Sequence, residues 1–190
     1  MPSSVFAQKK SPMPCASPDE LFTPQFYHPY RAAVEIAFEM LGHARKLLCQ
    51  DMGEETIRQM TFRLKTPNSI SDKLRKKSLP VTCDAASAAL HDIAGLRVVL
   101  SSVESVYRYA ALLTASPLAE FVLSRDYIAK PKASGYRSLH LLMMVPVIHR
   151  GQHIRVPIEI QLRTTTMDAW AVFDHDVYYK PCSPGFLALT

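Results

Sequence analysis

A run of basic residues in the middle of the chain has the spacing of a phosphate-binding site. Arg63 and Lys65 are two residues apart and therefore share one face if this segment is a strand. Ser69 and Lys73 are four residues apart, on one face of the helix expected to follow, with Ser69 in its first turn. Backbone N–H groups at a helix N-terminus attract anions, and nearby cations add charge-assisted hydrogen bonds. A basic helix face exposed to solvent is the alternative interpretation.

Asp92 is a candidate metal ligand. It precedes Gly95 and an apolar run, and its carboxylate could bind Mg²⁺, a hard cation that prefers oxygen ligands and keeps several waters. A glycine turn in which Arg97 pairs with a surface acid explains the same residues. The adjacent pair His91–Asp92 also marks some metal-dependent phosphohydrolases, but those sites need further His and Asp ligands, and no matching Glu–Asp pair is present. The hydrolase interpretation is therefore rejected.

A loop between two predicted strands combines cations with an aromatic ring. Gly135 allows the backbone to approach a ligand closely, and Lys132 and Tyr136 lie beside it. A tyrosine among cations offers a stacking plane next to phosphate-binding charges, the combination that nucleotides use. A hairpin with a solvated tip and Tyr136 in the core is equally compatible with these residues. Arg125 and His140 flank the loop.

A second acidic position lies near the C-terminus of the chain. Glu159, Gln161 and Arg163 alternate with apolar residues, which predicts a strand that carries these three polar side chains on one face. Three hydrogen-bonding side chains in a row are unusual for a strand with only a structural role, although an edge strand facing solvent has the same pattern. Asp168 follows on the next predicted helix.

The elements that would position these side chains follow from hydrophobic periodicity. About five strands and four or five helices are expected, in an order that does not alternate strictly. This favours an α/β (α+β) fold with a mixed five-stranded β-sheet flanked by helices. The predicted strands span residues 57–65, 96–100, 121–128, 138–147 and 154–162. The predicted helices span residues 30–50, 67–79, 87–91, 103–113 and 164–179.

Proline placement divides the chain into three parts. Six of the 14 prolines lie within the first 30 residues, a composition that disfavours helices and central strands. We therefore expect a flexible N-terminal segment over residues 1–28, one domain over residues 29–180, and an irregular tail over residues 181–190. A length of 190 residues fits a single domain of ordinary size.

The composition is typical of a soluble globular protein with an anionic partner. Hydrophobic residues make up 48% of the chain and charged residues 21%, and no stretch reaches the ~18 consecutive apolar residues of a membrane span. The four scattered cysteines form no C-x-x-C pair, which favours free thiols and a cytoplasmic location over a disulfide scaffold or zinc site. The net charge of +5 is concentrated between residues 58 and 77, where seven basic residues and one acid give +6. Nucleotides, RNA or a membrane surface would suit such an excess.

Four segments, in this order along the chain, resemble the synthetase domain of the RelA/SpoT alarmone family. They are Arg-x-Lys-x-x-x-Ser-Ile-x-x-Lys at 63–73, Asp-Ile-Ala-Gly-Leu-Arg at 92–97, Arg-Asp-Tyr-Ile with Lys-x-x-x-Tyr-Arg-Ser-x-His at 125–140, and Glu-Ile-Gln-Leu-Arg-Thr at 159–164. The resemblance covers about residues 30–180. With no hydrolase domain before this region, the chain is similar to a small alarmone synthetase with a nucleotidyltransferase-like synthetase fold.

The resemblance implies a GTP diphosphokinase, which transfers the β,γ-pyrophosphate of ATP to the 3′-hydroxyl of GDP or GTP and yields (p)ppGpp and AMP in the stringent response. It implies that Asp92 and Glu159 are catalytic and bind Mg²⁺, and that Glu159 completes the metal site, draws the proton from the 3′-hydroxyl, or does both. A carboxylate beside Mg²⁺ should have a depressed pKa, so the metal role is the firmer expectation.

The resemblance also assigns the nucleotide-binding residues. Arg63 and Arg97 would sandwich adenine, and Lys65, Ser69 and Lys73 would hold the ATP phosphates. Tyr136 would stack on guanine, and Arg125, Lys132 and His140 would face the acceptor's phosphates and ribose, with Gln161 and Asp168 beside them. An aspartate at 168 could accept from guanine N1–H and N2–H₂, which adenine cannot match.

The sequence also departs from the family pattern. Ala169 replaces the usual Phe before Trp170, and Phe173–Asp174–His175 replaces Leu-Glu-His. Small synthetases usually continue into helices that build a tetramer, whereas this chain ends ten residues after Lys180, which leaves a homo-oligomer open.

Two other functions fit the same residues. One is a toxin-like relative that pyrophosphorylates adenosine nucleotides or the 3′ end of tRNA, with RNA bound by the basic helix. The other is an inactive RNA-binding module, against which the intact Asp92 and Glu159 argue.

Overall fold

The computed structural model describes residues 17–53 and 56–179, with side chains described as far as Phe173. The strands are β1 (Ile57–Leu64), β2 (Ala94–Leu100), β3 (Glu120–Asp126), β4 (Leu139–His149) and β5 (Gln152–Thr164). The helices are α1 (Pro18–Leu21), α2 (Pro24–Met52), α3 (Pro67–Lys76), α4 (Cys83–Ala89), α5 (Val103–Thr114) and α6 (Thr165–Tyr179).

The five strands form one mixed sheet with the order β1-β2-β5-β4-β3. Only the central pair β2–β5 is parallel, and the other three pairs are antiparallel. Strands β4 and β5 form a hairpin whose turn contains Arg150 and Gly151, both with positive φ (52° and 76°), as the right-handed twist of hairpins favours. The predicted mixed five-stranded sheet flanked by helices is confirmed.

The apolar core lies between one face of the sheet and helices α2 and α5. Ile158, Ile160 and Leu162 of β5 are fully buried there, as the alternation of the strand predicts. The two helices are joined by Tyr109, whose hydroxyl donates to the Leu41 carbonyl at 2.7 Å. Because this face is sealed, the polar side chains of β1, β2 and β5 lie on the opposite face.

The predicted boundary at residue 28 is wrong. Helix α2 begins at Pro24 and contains Pro29, and α1 precedes it behind a capping box formed by Ser17 and Glu20. Phe22 and Tyr27 are buried, and burying two aromatic rings offsets the poor helix propensity of the prolines. Residues 1–16 and 180–190 lie outside the described residues, so the predictions for the two termini are not otherwise tested.

The remaining predicted elements agree with the structure to within a few residues, except for α4. That helix begins four residues earlier than predicted because the Thr82 side chain caps it, accepting from the Ala85 N–H at 3.2 Å. Among the described residues, no helix combines the length and the hydrophobicity that crossing a membrane requires.

Candidate active site

The strand register places polar residues in a row across the sheet. Thr61, Arg97, Gln161, His140 and Arg125 are successive Cα partners on β1, β2, β5, β4 and β3. Paired residues project to the same side of a sheet, so this row crosses the face turned away from the apolar core. Five residues separated by up to 100 positions in sequence are thereby brought onto one surface.

The neighbouring row contains a glycine between two charged residues. Arg63 pairs with Gly95, and Gly95 pairs with Glu159. A Cβ atom at position 95 would lie 3.8 Å from the Glu159 carbonyl oxygen and 4.0 Å from Arg63 Cγ. Because Gly95 has no side chain, the space between Arg63 and Glu159 above the sheet is left open.

Two open cavities of similar size lie over this face. The first cavity has a volume of about 570 Å³, and the second cavity has a volume of about 560 Å³. Asp92 and Glu159 line both of them. The other charged or ionisable side chains of the first cavity are Lys73, Lys77, His91, Arg125 and His140. The other polar side chains of the second are Thr61, Arg63, Arg97 and Gln161. The two carboxylates therefore lie where two basic cavities meet.

Asp92 follows α4 and is held by two lysines. Its Oδ2 atom lies 2.6 Å from Lys73 Nζ and 3.1 Å from Lys65 Nζ. Burial alone would raise the pKa of Asp92, but the hydrogen bond from Lys73 and the charges of both lysines outweigh it and lower the pKa. Its other oxygen, Oδ1, is buried and has no hydrogen-bond partner among the described residues. Asp92 is therefore an ionised carboxylate with one oxygen available.

Glu159 is held from two sides. Its Oε1 atom lies 3.1 Å from His140 Nδ1, and its Oε2 atom accepts from Gln161 Nε2 at 2.8 Å. Burial raises the pKa of Glu159, but the hydrogen bond and charge of His140, the hydrogen bond of Gln161 and the charge of Lys73 together lower it to about 2. The carboxylate is therefore ionised at neutral pH.

The two carboxylates fit Mg²⁺ better than a cation that needs a complete protein cage. Within residues 17–53 and 56–179, no group of three or more His, Cys, Asp or Glu side chains is arranged to hold a metal ion. Mg²⁺ is commonly bound by one or two carboxylates, with substrate phosphates and water as the remaining ligands. The unpartnered Oδ1 of Asp92 is the oxygen that such an ion would use.

The predicted aromatic loop is built as a platform of rings and cations. Lys132 Nζ lies 4.7 Å from the ring centroids of both Tyr127 and Tyr136. Gly135 has a φ of 83°, a left-handed backbone conformation that favours glycine, and it packs against the Trp170 indole. Tyr136 is half-buried rather than a core residue.

The structure brings most of the predicted site residues around the two cavities. Lys73, Arg125 and His140 line the first cavity. Arg63, Arg97 and Gln161 line the second. Gln161, expected beside the acceptor nucleotide together with Asp168, therefore shares a cavity with the two arginines expected around adenine.

The other five predicted site residues, among them Asp168, line neither cavity. Lys65 reaches the site through Asp92. Ser69 belongs to the N-terminus of α3, where its N–H donates to Thr66 Oγ1 at 3.3 Å. Lys132 and Tyr136 form the loop platform described above.

Asp168 is engaged by two arginines. Its Oδ1 atom lies 3.3 Å from Arg97 and 3.0 Å from Arg163. The side chains of Asp174 and His175, which depart from the family pattern, lie outside the described part of the chain.

Sequence reasoning left Arg163 without a role. Its side chain is 4% exposed, and it contacts Asp168, Gln161 and Tyr136. The available signal was its position on the same strand face as Glu159. Lys77 and His91 also line the first cavity, and the sequence motifs gave neither residue a ligand role.

Comparison with known proteins gives one consistent result. The region found in RelA/SpoT proteins matches residues 62–183. The chain is 34% identical over 148 residues to the GTP pyrophosphokinase YwaC of Bacillus subtilis strain 168, covering 78% of this chain and 69% of that protein. It is 36% identical over 156 residues to the GTP pyrophosphokinase YjbM of the same strain, covering 82% and 72%.

The fold gives the same answer as the sequence comparison. The structure matches small alarmone synthetase 1 from Bacillus subtilis, solved with its product pppGpp, with a TM-score of 0.74 and 36% identity over 85% of this chain and 82% of that one. Sequence match and structural match agree, and the chain belongs to the RelA/SpoT family.

Proposed function

We propose that the chain is a GTP/GDP pyrophosphokinase that transfers the β,γ-pyrophosphate of ATP to the 3′-hydroxyl of GDP or GTP, giving (p)ppGpp and AMP. The observation that carries this proposal is the pair of similar basic cavities that share Asp92 and Glu159. Two polyanionic substrates need adjacent basic sites, and phosphoryl transfer depends mainly on positioning and charge neutralisation. Placing the carboxylates at the junction puts them beside the reacting groups.

The second cavity is the proposed ATP site. Arg63 and Arg97 present flat guanidinium groups suited to stacking on adenine. Lys65 and Lys73 meet at Asp92, where the second cavity joins the first, and bind the ATP phosphates there together with the α3 N-terminus at Ser69. In the free protein the two lysines are neutralised by Asp92, so ATP binding exchanges the carboxylate for phosphate oxygens as their partner.

The first cavity and the neighbouring loop are the proposed acceptor site. Arg125 and His140 face the phosphates and ribose of GDP or GTP, and Tyr136 stacks on guanine after Lys132 moves from its ring to a phosphate. Because Asp168 Oδ1 already accepts from Arg163 and forms an ion pair with Arg97, its Oδ2 is the atom that reads guanine N–H groups.

The reaction joins the acceptor 3′-oxygen to the β-phosphorus of ATP and breaks the bond from that phosphorus to the oxygen bridging to the α-phosphate, so AMP leaves. Asp92 and Glu159 would hold Mg²⁺, which supplies charge neutralisation to the transferred pyrophosphate when bound. The Glu159 carboxylate, with a pKa of about 2, is ionised at neutral pH, so its charge is available to the metal ion and its oxygens can accept the proton of the 3′-hydroxyl. Cytoplasmic ATP and guanine nucleotides are the expected substrates.

A transfer assay tests this function against its alternatives. The purified protein is incubated with Mg²⁺ and γ-labelled ATP, with GDP, GTP, ADP or bulk tRNA offered separately as acceptor. We expect label to appear in guanosine nucleotides and to be abolished by EDTA. Label in tRNA or in an adenosine nucleotide would reassign the chain to the toxin-like class, and no transfer to any acceptor would favour an inactive RNA-binding module.

Removal of the Tyr136 ring should weaken acceptor binding. Base stacking on an aromatic side chain is worth roughly 1–3 kcal/mol, so Tyr136→Ala is expected to raise the KM for GDP roughly 5- to 150-fold. Tyr136→Phe keeps the ring and should leave this KM within about threefold of wild type. Initial rates at varied GDP and saturating ATP measure both values, and an unchanged KM in the alanine variant would contradict the stacking role.

A large side chain at Gly95, but not a methyl group, should fill part of the second cavity. A methyl group would make only ordinary contacts at 3.8 and 4.0 Å, so Gly95→Ala is expected to be close to wild type. Gly95→Leu projects a larger group between Arg63 and Glu159 and should weaken ATP binding by about 1–3 kcal/mol, or roughly 5- to 150-fold. Calorimetry with a non-hydrolysable ATP analogue measures the loss, and equal affinity in both variants would place ATP elsewhere.

A further inference from the structure

Arg163 is a buried arginine whose single nitrogen Nη2 makes two hydrogen bonds. It donates to the Tyr136 hydroxyl at 2.7 Å and to Gln161 Oε1 at 2.8 Å. The side chain is 4% exposed, and Nη1 is fixed by Asp168 Oδ1 at 3.0 Å. Because Nη2 carries two hydrogens, both bonds can form at the same time.

The first bond begins an arm that ends on Glu159. The Tyr136 hydroxyl, which accepts from Arg163, lies 2.8 Å from His140 Nε2. The Glu159 carboxylate can only accept, so the hydrogen of the neutral His140 tautomer lies on Nδ1, and Nε2 then accepts from the Tyr136 hydroxyl. Nδ1 lies 3.1 Å from Glu159 Oε1 and donates to it.

The second bond begins an arm that ends on the other oxygen of the same carboxylate. Gln161 accepts from Arg163 through Oε1, so its amide nitrogen points away from the arginine. That nitrogen donates to Glu159 Oε2 at 2.8 Å. Five side chains thus close a ring in which every bond runs from Arg163 towards Glu159 and no donor faces a donor.

We propose that Arg163 is a positioning residue that orients the Glu159 carboxylate through these two arms and fixes the tautomer of His140. The proposal rests on the proposed function, since Glu159 is taken to act at the reacting phosphate. With one N–H on each oxygen, the carboxylate plane is held, and its remaining lone pairs face the junction of the cavities. Asp168 and Arg97 extend the same network to the ATP site. Lysine cannot replace this arrangement because it lacks the planar fork of donors.

Steady-state kinetics of Arg163→Lys test the positioning role. We expect kcat to fall about 10- to 100-fold, as for other residues that orient an active-site ligand, with the KM for ATP unchanged within about threefold. Arg108→Lys, which alters a surface arginine paired with Asp51 and Glu104, is the matched control and should equal wild type. A normal kcat in Arg163→Lys, or a loss confined to KM, would overturn the proposal.

A double-mutant comparison separates positioning from general stability. Tyr136→Phe removes the hydroxyl of the first arm and should lower kcat less than Arg163→Lys does. The double variant should be no slower than Arg163→Lys alone, because the arm is already broken. Multiplicative losses would show that the residues act independently and would overturn the network. If circular dichroism shows that Arg163→Lys does not fold, Tyr136→Phe alone still tests the proposal, because a normal kcat in that variant would overturn the network.

Nitrogen NMR on histidine-labelled protein tests the first arm without any substrate. The His140 signals are assigned by their loss in His140→Gln, and we expect hydrogen on Nδ1, with the Nδ1 signal shifted in Arg163→Lys but not in Arg108→Lys. An Nδ1 without hydrogen in the wild-type protein would overturn the proposal, because it could not donate to Glu159. Because this measurement needs no catalysis, it distinguishes failure of the network from failure of the proposed reaction.

Discussion

Replacing Glu159 by glutamine is expected to lower kcat for pyrophosphate transfer by about 10³-fold, the size of effect seen when one group that stabilises transition-state charge is removed. The substitution keeps the shape of the side chain but removes a charge that is present at neutral pH, since the pKa of Glu159 is about 2. It also turns one carboxylate oxygen into an N–H₂ group that faces a donor from His140 or Gln161. Transfer from labelled ATP to GDP measures the loss.

Nucleotide binding separates this effect from a loss of structure. The phosphates are held by cations, so affinities for ATP and GDP measured by calorimetry should change by no more than about threefold in Glu159→Gln. Glu120→Gln is the matched control, because Glu120 is an exposed carboxylate of β3 paired with Arg155. Wild-type turnover by Glu159→Gln would remove this carboxylate from the mechanism. Loss of both activity and binding would instead mean that the substitution disrupts the site as a whole.

Local periodicity predicted the strands that carry the site. The alternation around Glu159 places apolar side chains in the core and polar ones on the other face, as observed for β5. The same rule predicted that Arg63 and Lys65 share one face. In the structure Arg63 lines the second cavity together with Asp92, and Lys65 pairs with the Asp92 carboxylate. Patterns of period two depend on neighbours along the chain, so one sequence is sufficient to read them.

The meeting of the two carboxylates could not be predicted in this way. Glu159 and Asp92 come together because β2 and β5 pair in parallel, with Gly95 opposite Glu159, although more than 60 residues separate them. Strand order is decided by the packing of the whole sheet. Without the family resemblance, periodicity alone left each motif with a structural alternative.

Two errors share one physical origin. Composition predicted a flexible segment up to residue 28, but the buried rings of Phe22 and Tyr27 anchor residues 17–28 of it to the core. Arg163 was grouped with Glu159 and Gln161 on one strand face but received no role, because the pattern does not reveal its contacts with Asp168 and Tyr136. In both cases the deciding contacts are made by the folded chain and are not encoded in the local pattern.

Replacing Asp92 by asparagine is expected to lower transfer by about 10²- to 10³-fold while leaving ATP binding in the absence of Mg²⁺ at least as tight as in wild type. Transfer is lost because the amide is a poor substitute for the ionised carboxylate and its free Oδ1. Binding is retained because Lys65 and Lys73 no longer have Asp92 as a counterion and are free to bind phosphate. A defect in folding would lower both quantities, so their opposite response identifies the role of the carboxylate.

The matched control for this substitution is Asp72→Asn, which removes a largely exposed carboxylate of α3 that pairs with Arg75. It should leave both transfer and Mg²⁺-free ATP binding unchanged. The unfolding free energy of Asp92→Asn should fall by about 1–3 kcal/mol, since the partly buried ammonium of Lys65 loses a charged hydrogen-bond partner. Titration of ATP in EDTA, followed by transfer assays over a range of Mg²⁺ concentrations, measures the two effects separately. Weaker ATP binding without Mg²⁺ would mean that Asp92 orients the two lysines for phosphate and does not compete with phosphate for them. Restoration of full transfer by high Mg²⁺ would mean that the carboxylate contributes affinity for the ion but nothing to the reacting geometry.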